Sequence, residues 1–301
     1  MNLIIQPDAG VAPVVRAIHG ARRRVDLAIF RIDREDIEKA LASAVQRGVH
    51  VRVLVAHTNS GGESRLRKFE QRMLEAGVMV SRTGDEFVRY HGKFMVADDK
   101  LYIFGFNFTK ADTVRSRSFG ISTRDRQAVS EALALFEADS TRQPFVPKRS
   151  HLVVSPENAR EMLTSFVKGA KHQLLVYDVN LQDRAFIKLL KHQATAGVDV
   201  RVIGKCKIGD PIEVRPLREL RLHVRAIVRD GVYAFVGSQS LRRLELDHRR
   251  EVGVLITNKS VAKKIGEVFE RDWLESATGK EEKKEKKKDA KRIIDATAAF
   301  A

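Results

Sequence analysis

The chain has 301 residues, 43% of them hydrophobic, which is enough to bury a substantial core and excludes a disordered protein. Its formal net charge is +16, of which residues 276–301 supply only +3, so the rest of the chain favours an anionic partner such as nucleic acid, anionic lipid or a phosphorylated small molecule. The single cysteine, Cys206, excludes an intrachain disulfide and a cysteine-built zinc site.

The N-terminal segment alternates between helical and strand patterns. Hydrophobic periodicity predicts a helix near 11–22, a strand over Val25–Phe30, a helix near 34–47 and a strand over Val49–Val55. This order is the βαβ unit of an α/β fold.

A polar motif follows this unit and has the form His91-x-Lys93-x4-Asp98-x6-Gly105. The residues after His91 are typical of a strand, a turn at Asp98 and a second strand. Because side chains alternate along a strand, His91 and Lys93 project from one face, about 6 to 7 Å apart along the backbone. The predicted hairpin therefore places an imidazole beside a cation.

The same organisation returns in the second half of the chain. Residues 140–149 contain two prolines and several polar side chains, which favours a linker. Beyond residue 155, Gly197–Ile203 repeats Gly48–Leu54 at an offset of 149 (197 − 48). These observations indicate an internal duplication.

The second half carries its own copy of the motif, His223-x-Arg225-x4-Asp230-x6-Gly237. Asp230 and Gly231 form a strong hairpin signal. A final helix is predicted around Ser260–Leu274.

We therefore predict an α/β fold of two duplicated halves, each with a mixed β-sheet flanked by helices. The halves span residues 1–147 and 148–277, and a charged, solvated tail occupies 278–301. Two motif copies suggest one active site built from both halves. Since both halves are in one chain, we expect a monomer.

Two histidines that face one phosphate can cleave a phosphodiester. One imidazole attacks phosphorus while the other protonates the departing oxygen, and Lys93 and Arg225 would stabilise the charge that develops on the phosphoryl oxygens. This scheme needs no metal ion and no cofactor. The chain also lacks a carboxylate cluster or a His-x3-His spacing that would hold a metal.

The segment from His91 to Asp98 resembles the His-x-Lys-x4-Asp motif of the phospholipase D superfamily, and the resemblance extends over nearly the whole folded chain to the closing Phe269–Trp273. It implies a metal-independent phosphodiesterase or phosphatidyltransferase with its active site at the pseudo-twofold seam between the halves. By this resemblance His91 is the nucleophile that forms a phosphohistidine and His223 is the general acid, although the two roles can also be exchanged.

The second motif departs from the family pattern, because Arg225 stands where the family has lysine. Arginine keeps the charge but changes the geometry. The family's Gly-Ser-x-Asn segment is also altered in both copies, and the resemblance implies phosphate binding by Asn107, Ser238 and Gln239.

The resemblance also implies a carboxylate that orients a catalytic histidine. Glu251 fills this position in the second copy, whereas the first copy has Ser118, so we expect an asymmetric site with Glu251 as its only such carboxylate.

Four further motif residues have structural explanations. Asp98 and Asp230 suit hairpin turns, where aspartate bonds to the local backbone, and we expect them to be scaffold. Gly105 and Gly237 are expected to permit close backbone approach.

Three functions fit these observations. The first is a phospholipase D-type phosphodiesterase that acts on phospholipid. The second is a nuclease with the same two-histidine mechanism, because Asn107–Ala111 resembles the corresponding segment of bacterial nucleases in this superfamily. The third is a phosphate-binding scaffold with a degenerate site, which the altered second motif favours.

The chain has no basic segment ahead of its short N-terminal apolar run, and no stretch approaches 18 uninterrupted apolar residues. We therefore expect a cytoplasmic protein, with at most peripheral contact with an anionic membrane.

Overall fold

The computed structural model describes residues 1–57, 63–148 and 150–276. The predicted charged tail at 278–301 lies outside these residues, as does Arg149 of the predicted linker.

The first half contains eight strands and five helices among the described residues. In chain order they are β1 (Asn2–Gln6), α1 (Ala12–Gly20), β2 (Arg24–Ile29), α2 (Glu35–Gln46), β3 (His50–Val55), α3 (Glu63–Glu75), β4 (Met79–Arg82), β5 (Arg89–Tyr90), β6 (Phe94–Ala97), β7 (Lys100–Phe104), α4 (Lys110–Val114), β8 (Ser116–Thr123) and α5 (Arg126–Thr141). The predicted βαβ unit is present, with ends shifted by one or two residues.

The second half repeats this order. Its elements are β9 (Leu152–Ser155), α6 (Ala159–Lys168), β10 (Gln173–Asp178), α7 (Arg184–Thr195), β11 (Asp199–Gly204), β12 (Glu213–Arg215), β13 (Arg221–Leu222), β14 (Ala226–Arg229), β15 (Tyr233–Gly237), α8 (Arg243–Asp247), β16 (Arg249–Ile256) and a helix α9 over 259–276.

Each half builds one mixed sheet around the same strand order. The first sheet runs β1-β8-β7-β6-β2-β3-β4, and the second runs β12-β11-β10-β14-β15-β16 with β9 on β16. In both sheets three strands are parallel and the motif hairpin is antiparallel to them. The predicted fold of duplicated α/β halves is confirmed.

The helices cover the sheets with regularly spaced apolar side chains. In α2, Ile37, Leu41 and Ala44 are fully buried because their spacing of three and four residues places them on one face. The central strands β2 and β3 are mostly buried, and four of the six residues in each are apolar. The buried Asp26 of β2 pairs with Arg24 and with Arg52 of β3.

The halves exchange the short strands that lead into their motifs. β5 of the first half pairs in parallel with β16 of the second, and β13 of the second half pairs in parallel with β8 of the first. The main chain continues this pairing, because the His91 amide donates to the Arg250 carbonyl at 2.7 Å and the His223 amide to the Arg117 carbonyl at 3.2 Å. Each motif histidine is therefore positioned by the sheet of the other half.

Two buried ion pairs also connect the halves. Arg117 on β8 donates to Asp272 on α9 at 2.8 and 3.0 Å. Arg250 on β16 lies 3.1 Å from Asp139 on α5. All four side chains are buried. The two pairs therefore attach α5, the last helix of the first half, and α9, the last helix of the second, to the sheet of the opposite half.

The motif glycines lie where strands of the two halves approach closely. A Cβ added to Gly105 would lie 2.9 Å from the Phe119 carbonyl oxygen and 3.3 Å from that of Gly237. A Cβ on Gly237 would lie 2.8 Å from the Gly253 Cα. Larger residues at positions 105 and 237 would therefore separate the strands that meet there.

In the described parts of the chain, no helix is both long enough and apolar enough to cross a membrane.

Candidate active site

The two motif aspartates lie at hairpin turns and bond to main-chain amides. The Asp98 carboxylate accepts hydrogen bonds from the amides of Arg22, Arg23 and Arg24 at 2.9 to 3.1 Å. Against the opposing effect of burial, these donors lower the pKa of Asp98. Asp230 accepts equivalent bonds from the amides of residues 171–173. Both aspartates thus fix the motif hairpin to the start of the neighbouring strand.

His91 is held by a carboxylate from the other half. Its Nδ1 lies 2.8 Å from Oε2 of Glu251, which is fully buried on β16. The Phe30 ring packs edge-on against the imidazole, with centroids 4.8 Å apart. Because Nδ1 is engaged, Nε2 is the ring nitrogen available for reaction.

Lys93 lies fully buried beside His91. Its Nζ donates to the His91 carbonyl oxygen at 2.5 Å and sits 5.4 Å from the Phe30 ring centroid. Burial lowers the pKa of Lys93 to about 7, against the opposing charge of Glu251. The amine is therefore close to its protonation midpoint at neutral pH.

The second motif reproduces this arrangement with a different cation. Nη1 of Arg225 donates to the His223 carbonyl oxygen at 3.3 Å, as Lys93 does to His91, and its Nε donates to Oγ of Ser240 at 3.3 Å. The replacement of lysine by arginine thus preserves the contact of the cation with its own histidine.

The two motifs share one electrostatic environment. Burial, followed by the charges of Lys93 and Arg225, lowers the pKa of His91 well below its usual range. The pKa of His223 is lowered in the same way by burial and then by Arg225, Arg221, Lys93 and His91. Each histidine responds to charges of both motifs, and both are neutral at neutral pH in the absence of ligand.

Comparisons with known proteins support the family resemblance. Residues 14–140 match the family model described as cardiolipin synthase, PLD-like domain. Human mitochondrial cardiolipin hydrolase is 28% identical over 164 residues, which cover 51% of this chain and 62% of that protein. Both matches support the resemblance to the phospholipase D superfamily, and the family model covers most of the first half of the chain.

Two solved structures share the fold of this chain. Polyphosphate kinase from Porphyromonas gingivalis matches with a TM-score of 0.74 at 19% identity, over 90% of this chain and 50% of the kinase. Phosphatidylserine synthase from Haemophilus influenzae matches with a TM-score of 0.67 at 10% identity, over 92% of this chain and 86% of the synthase. The chain therefore spans less than two thirds of the human hydrolase and half of the kinase.

A second carboxylate, which lies outside both motifs, faces the other histidine. Oδ2 of Asp112 on α4 lies 3.7 Å from Nδ1 of His223, which forms no hydrogen bond with the described residues. His223 therefore also has a carboxylate nearby, at a position other than the one that the motif comparison predicted, while Glu251 is the one that bonds to its histidine. Ser118 only approaches the His223 carbonyl oxygen, at 3.4 Å.

One sequence signal could have revealed Asp112. Asp112 lies on α4, and the corresponding helix of the second half, α8, starts 133 residues later (243 − 110). This offset aligns Asp112 with Glu245. Both side chains are buried. Acidic residues at matching positions of two duplicated helices are unexpected on buried faces unless they are paired.

The residues predicted to bind phosphate lie in different surroundings. Asn107 lines a cavity at the site, and its Nδ2 donates to Asp112 at 2.8 Å. Ser238 Oγ accepts from the Val252 amide at 3.1 Å, and Gln239 Nε2 donates to the Val153 carbonyl at 3.0 Å. In the second half these polar groups therefore connect strands.

The cavity beside His223 has a volume of about 280 Å³. It is lined by Arg31, Ile32, Asp33, Arg65, Leu66, Asn107, Thr109, Ala111, Asp112, Arg221 and His223. Three arginines among these residues make it suitable for an anion.

Within residues 1–57, 63–148 and 150–276, no group of three or more His, Cys, Asp and Glu side chains could hold a metal ion.

Proposed function

We propose that the protein is a metal-independent phosphodiesterase that hydrolyses a phospholipid, or transfers its phosphatidyl group, through a covalent phosphohistidine. The contact that carries this proposal is the 2.8 Å bond between His91 and the buried Glu251 of the other half. It orients an imidazole that is neutral and has a reactive Nε2. The name of the human relative, a cardiolipin hydrolase, supports a lipid substrate.

In the first step, Nε2 of His91 attacks phosphorus and the bond from phosphorus to the leaving oxygen breaks. The phosphohistidine carries positive charge on its ring, which the carboxylate of Glu251 stabilises. Lys93 and Arg225 neutralise the oxygens of the phosphoryl group as their charge increases.

His223 donates the proton that the leaving oxygen needs. Its depressed pKa rises when a phosphodiester anion binds, because a nearby negative charge favours the imidazolium. Asp112 at 3.7 Å acts in the same direction.

In the second step, a water or an alcohol attacks phosphorus and the bond between phosphorus and Nε2 breaks. His223 accepts the proton of the attacking hydroxyl, which restores the free enzyme. Water as the acceptor gives hydrolysis, and an alcohol gives transfer of the phosphatidyl group.

The test uses the full chain with excess chelator and phospholipid in detergent micelles. We expect turnover and a labelled phosphohistidine after rapid quenching, and both are lost in His91→Asn. A matched control is His192→Asn, which changes an exposed histidine on α7 and keeps activity. Turnover that persists in His91→Asn refutes the mechanism, and wild-type binding of lipid without any turnover favours a degenerate phosphate-binding scaffold.

A nuclease is the second candidate, and the arginines of the cavity beside His223 favour it. A nuclease would bind nucleic acid with an affinity that falls steeply as salt rises, because neutralised phosphates release counterions. Cleavage of single-stranded DNA or RNA by the wild type and not by His91→Asn would establish this alternative.

A further inference from the structure

We propose that the cavity beside His223 holds the leaving group of the substrate and selects a leaving group that carries a phosphate, such as glycerol phosphate. This inference rests on the proposed function, in which His223 protonates the leaving oxygen. Since a general acid must contact that oxygen, the space next to His223 is where the departing alcohol lies.

The charges of the cavity favour an anion. Its three arginines outnumber its two carboxylates, of which Asp112 pairs with Arg221 and Asp33 accepts a hydrogen bond from the Lys110 amide at 2.9 Å. The lining therefore keeps a net charge of +1 (3 − 2), which is carried by the arginines. Arg31 also lies close enough to the motif to lower the pKa of Lys93.

Arg65 is the arginine that reaches the cavity from α3. Two other arginines of this helix are neutralised, Arg67 by Glu70 at 2.6 Å and Arg72 by Glu38 at 2.7 Å. Arg65 is exposed and makes no ion pair with any residue that the structure describes. Its guanidinium can form a two-pronged contact with a phosphate.

Asn107 adds a requirement for a hydroxyl group. Its Oδ1 is buried and accepts no hydrogen bond from the part of the chain that the structure covers, while its Nδ2 is directed at Asp112. A buried acceptor without a partner is unfavourable, and a ligand hydroxyl would satisfy it.

The same lining is unsuited to a choline or ethanolamine leaving group. Quaternary ammonium groups bind in aromatic cages. Among the described residues that line the cavity, none is phenylalanine, tyrosine or tryptophan, and its arginines would repel a cation. A polyol phosphate matches both the arginines and the Asn107 acceptor.

The experiment compares phosphatidylglycerol with phosphatidylglycerol phosphate, which differ only in the terminal phosphate. Both are presented in neutral detergent micelles with an inert anionic amphiphile that keeps the surface charge equal. We expect kcat/KM to be about tenfold higher for the phosphate-bearing lipid, as a hydrogen bond to a charged group implies. Phosphatidylcholine should be the poorest substrate.

Arg65→Glu should abolish this preference, so that the ratio of the two kcat/KM values approaches one. The control is Lys68→Glu, which makes the same charge reversal at an exposed position on α3 outside the cavity and should keep the ratio. Equal rates for the two lipids in the wild type, or a preference that survives in Arg65→Glu, would overturn the proposal.

Binding separates this proposal from the failure of the proposed function. If the wild type cleaves no phosphodiester, calorimetric titration with glycerol 1,3-bisphosphate still tests the cavity, and its affinity should fall about tenfold in Arg65→Glu. No binding to the wild type would refute the inference. Arg65-dependent cleavage of a thymidine decanucleotide, without cleavage of phosphatidylglycerol phosphate, would refute the lipid assignment.

Discussion

Replacing Glu251 by glutamine removes the charge beside His91 while keeping the size of the side chain. The carboxylate is fully buried and lies 2.8 Å from Nδ1 of His91. Two unit charges at that separation interact by about 6 kcal/mol at an effective dielectric constant of about 20. The glutamine retains a neutral hydrogen bond worth about 1 kcal/mol. Because Lys93 and Arg225 already offset part of the carboxylate charge, we expect kcat/KM to fall about 10³-fold, which corresponds to about 4 kcal/mol.

The assay is single-turnover formation of the phosphohistidine by rapid quenching, with thermal melting to show that the variant is folded. The matched control is Ser118→Ala, which alters the equivalent position of the first half. Since Ser118 only approaches the His223 carbonyl at 3.4 Å, its loss should change the rate less than about threefold. If folded Glu251→Gln retains a rate within tenfold of the wild type, Glu251 does not stabilise the reacting imidazole.

Lys93, Asp112 and the buried pair of Asp272 with Arg117 give three other predictions. Burial lowers the pKa of Lys93 to about 7, so the amine loses its charge and kcat/KM falls as the pH rises through 7, whereas pH profiles of Lys93→Arg should lack this fall. Asp112→Asn should slow phospholipid turnover about tenfold. It should leave the turnover of a p-nitrophenyl phosphodiester unchanged, because p-nitrophenolate leaves with little help from a general acid. Asp272→Asn breaks the buried pair with Arg117 and should lower the urea-measured free energy of unfolding by about 3–5 kcal/mol. The control Glu267→Gln, in an exposed pair, should lower it by about 0.5 kcal/mol or less.

The sequence predicted the parts of the fold that depend on local pattern. Alternation and helical periodicity are properties of neighbouring residues, so the βαβ units and the motif hairpins followed directly from them. His91 and Lys93 could be placed on one face for the same reason. The final helix was predicted over Ser260–Leu274 and is observed over 259–276.

The exchanged strands could not be predicted in this way. β5 and β13 have two residues each, which is too short for any periodic signal, and their partners lie in the other half. Asp112 was missed for a related reason. It occupies a five-residue helix, and its importance comes only from the approach of His223 across the seam.

The strand exchange means that the side chains of the proposed site come together only when both halves are present. Glu251 of the second half bonds to His91 of the first, and Asp112 of the first half lies 3.7 Å from His223 of the second. Two separate halves would have to meet by diffusion, whereas the covalent connection raises their effective concentration to about the millimolar range or above. Linking the halves in one chain makes assembly of the catalytic pair independent of protein concentration, and it lets each half change its own motif, as at Arg225, without changing the other.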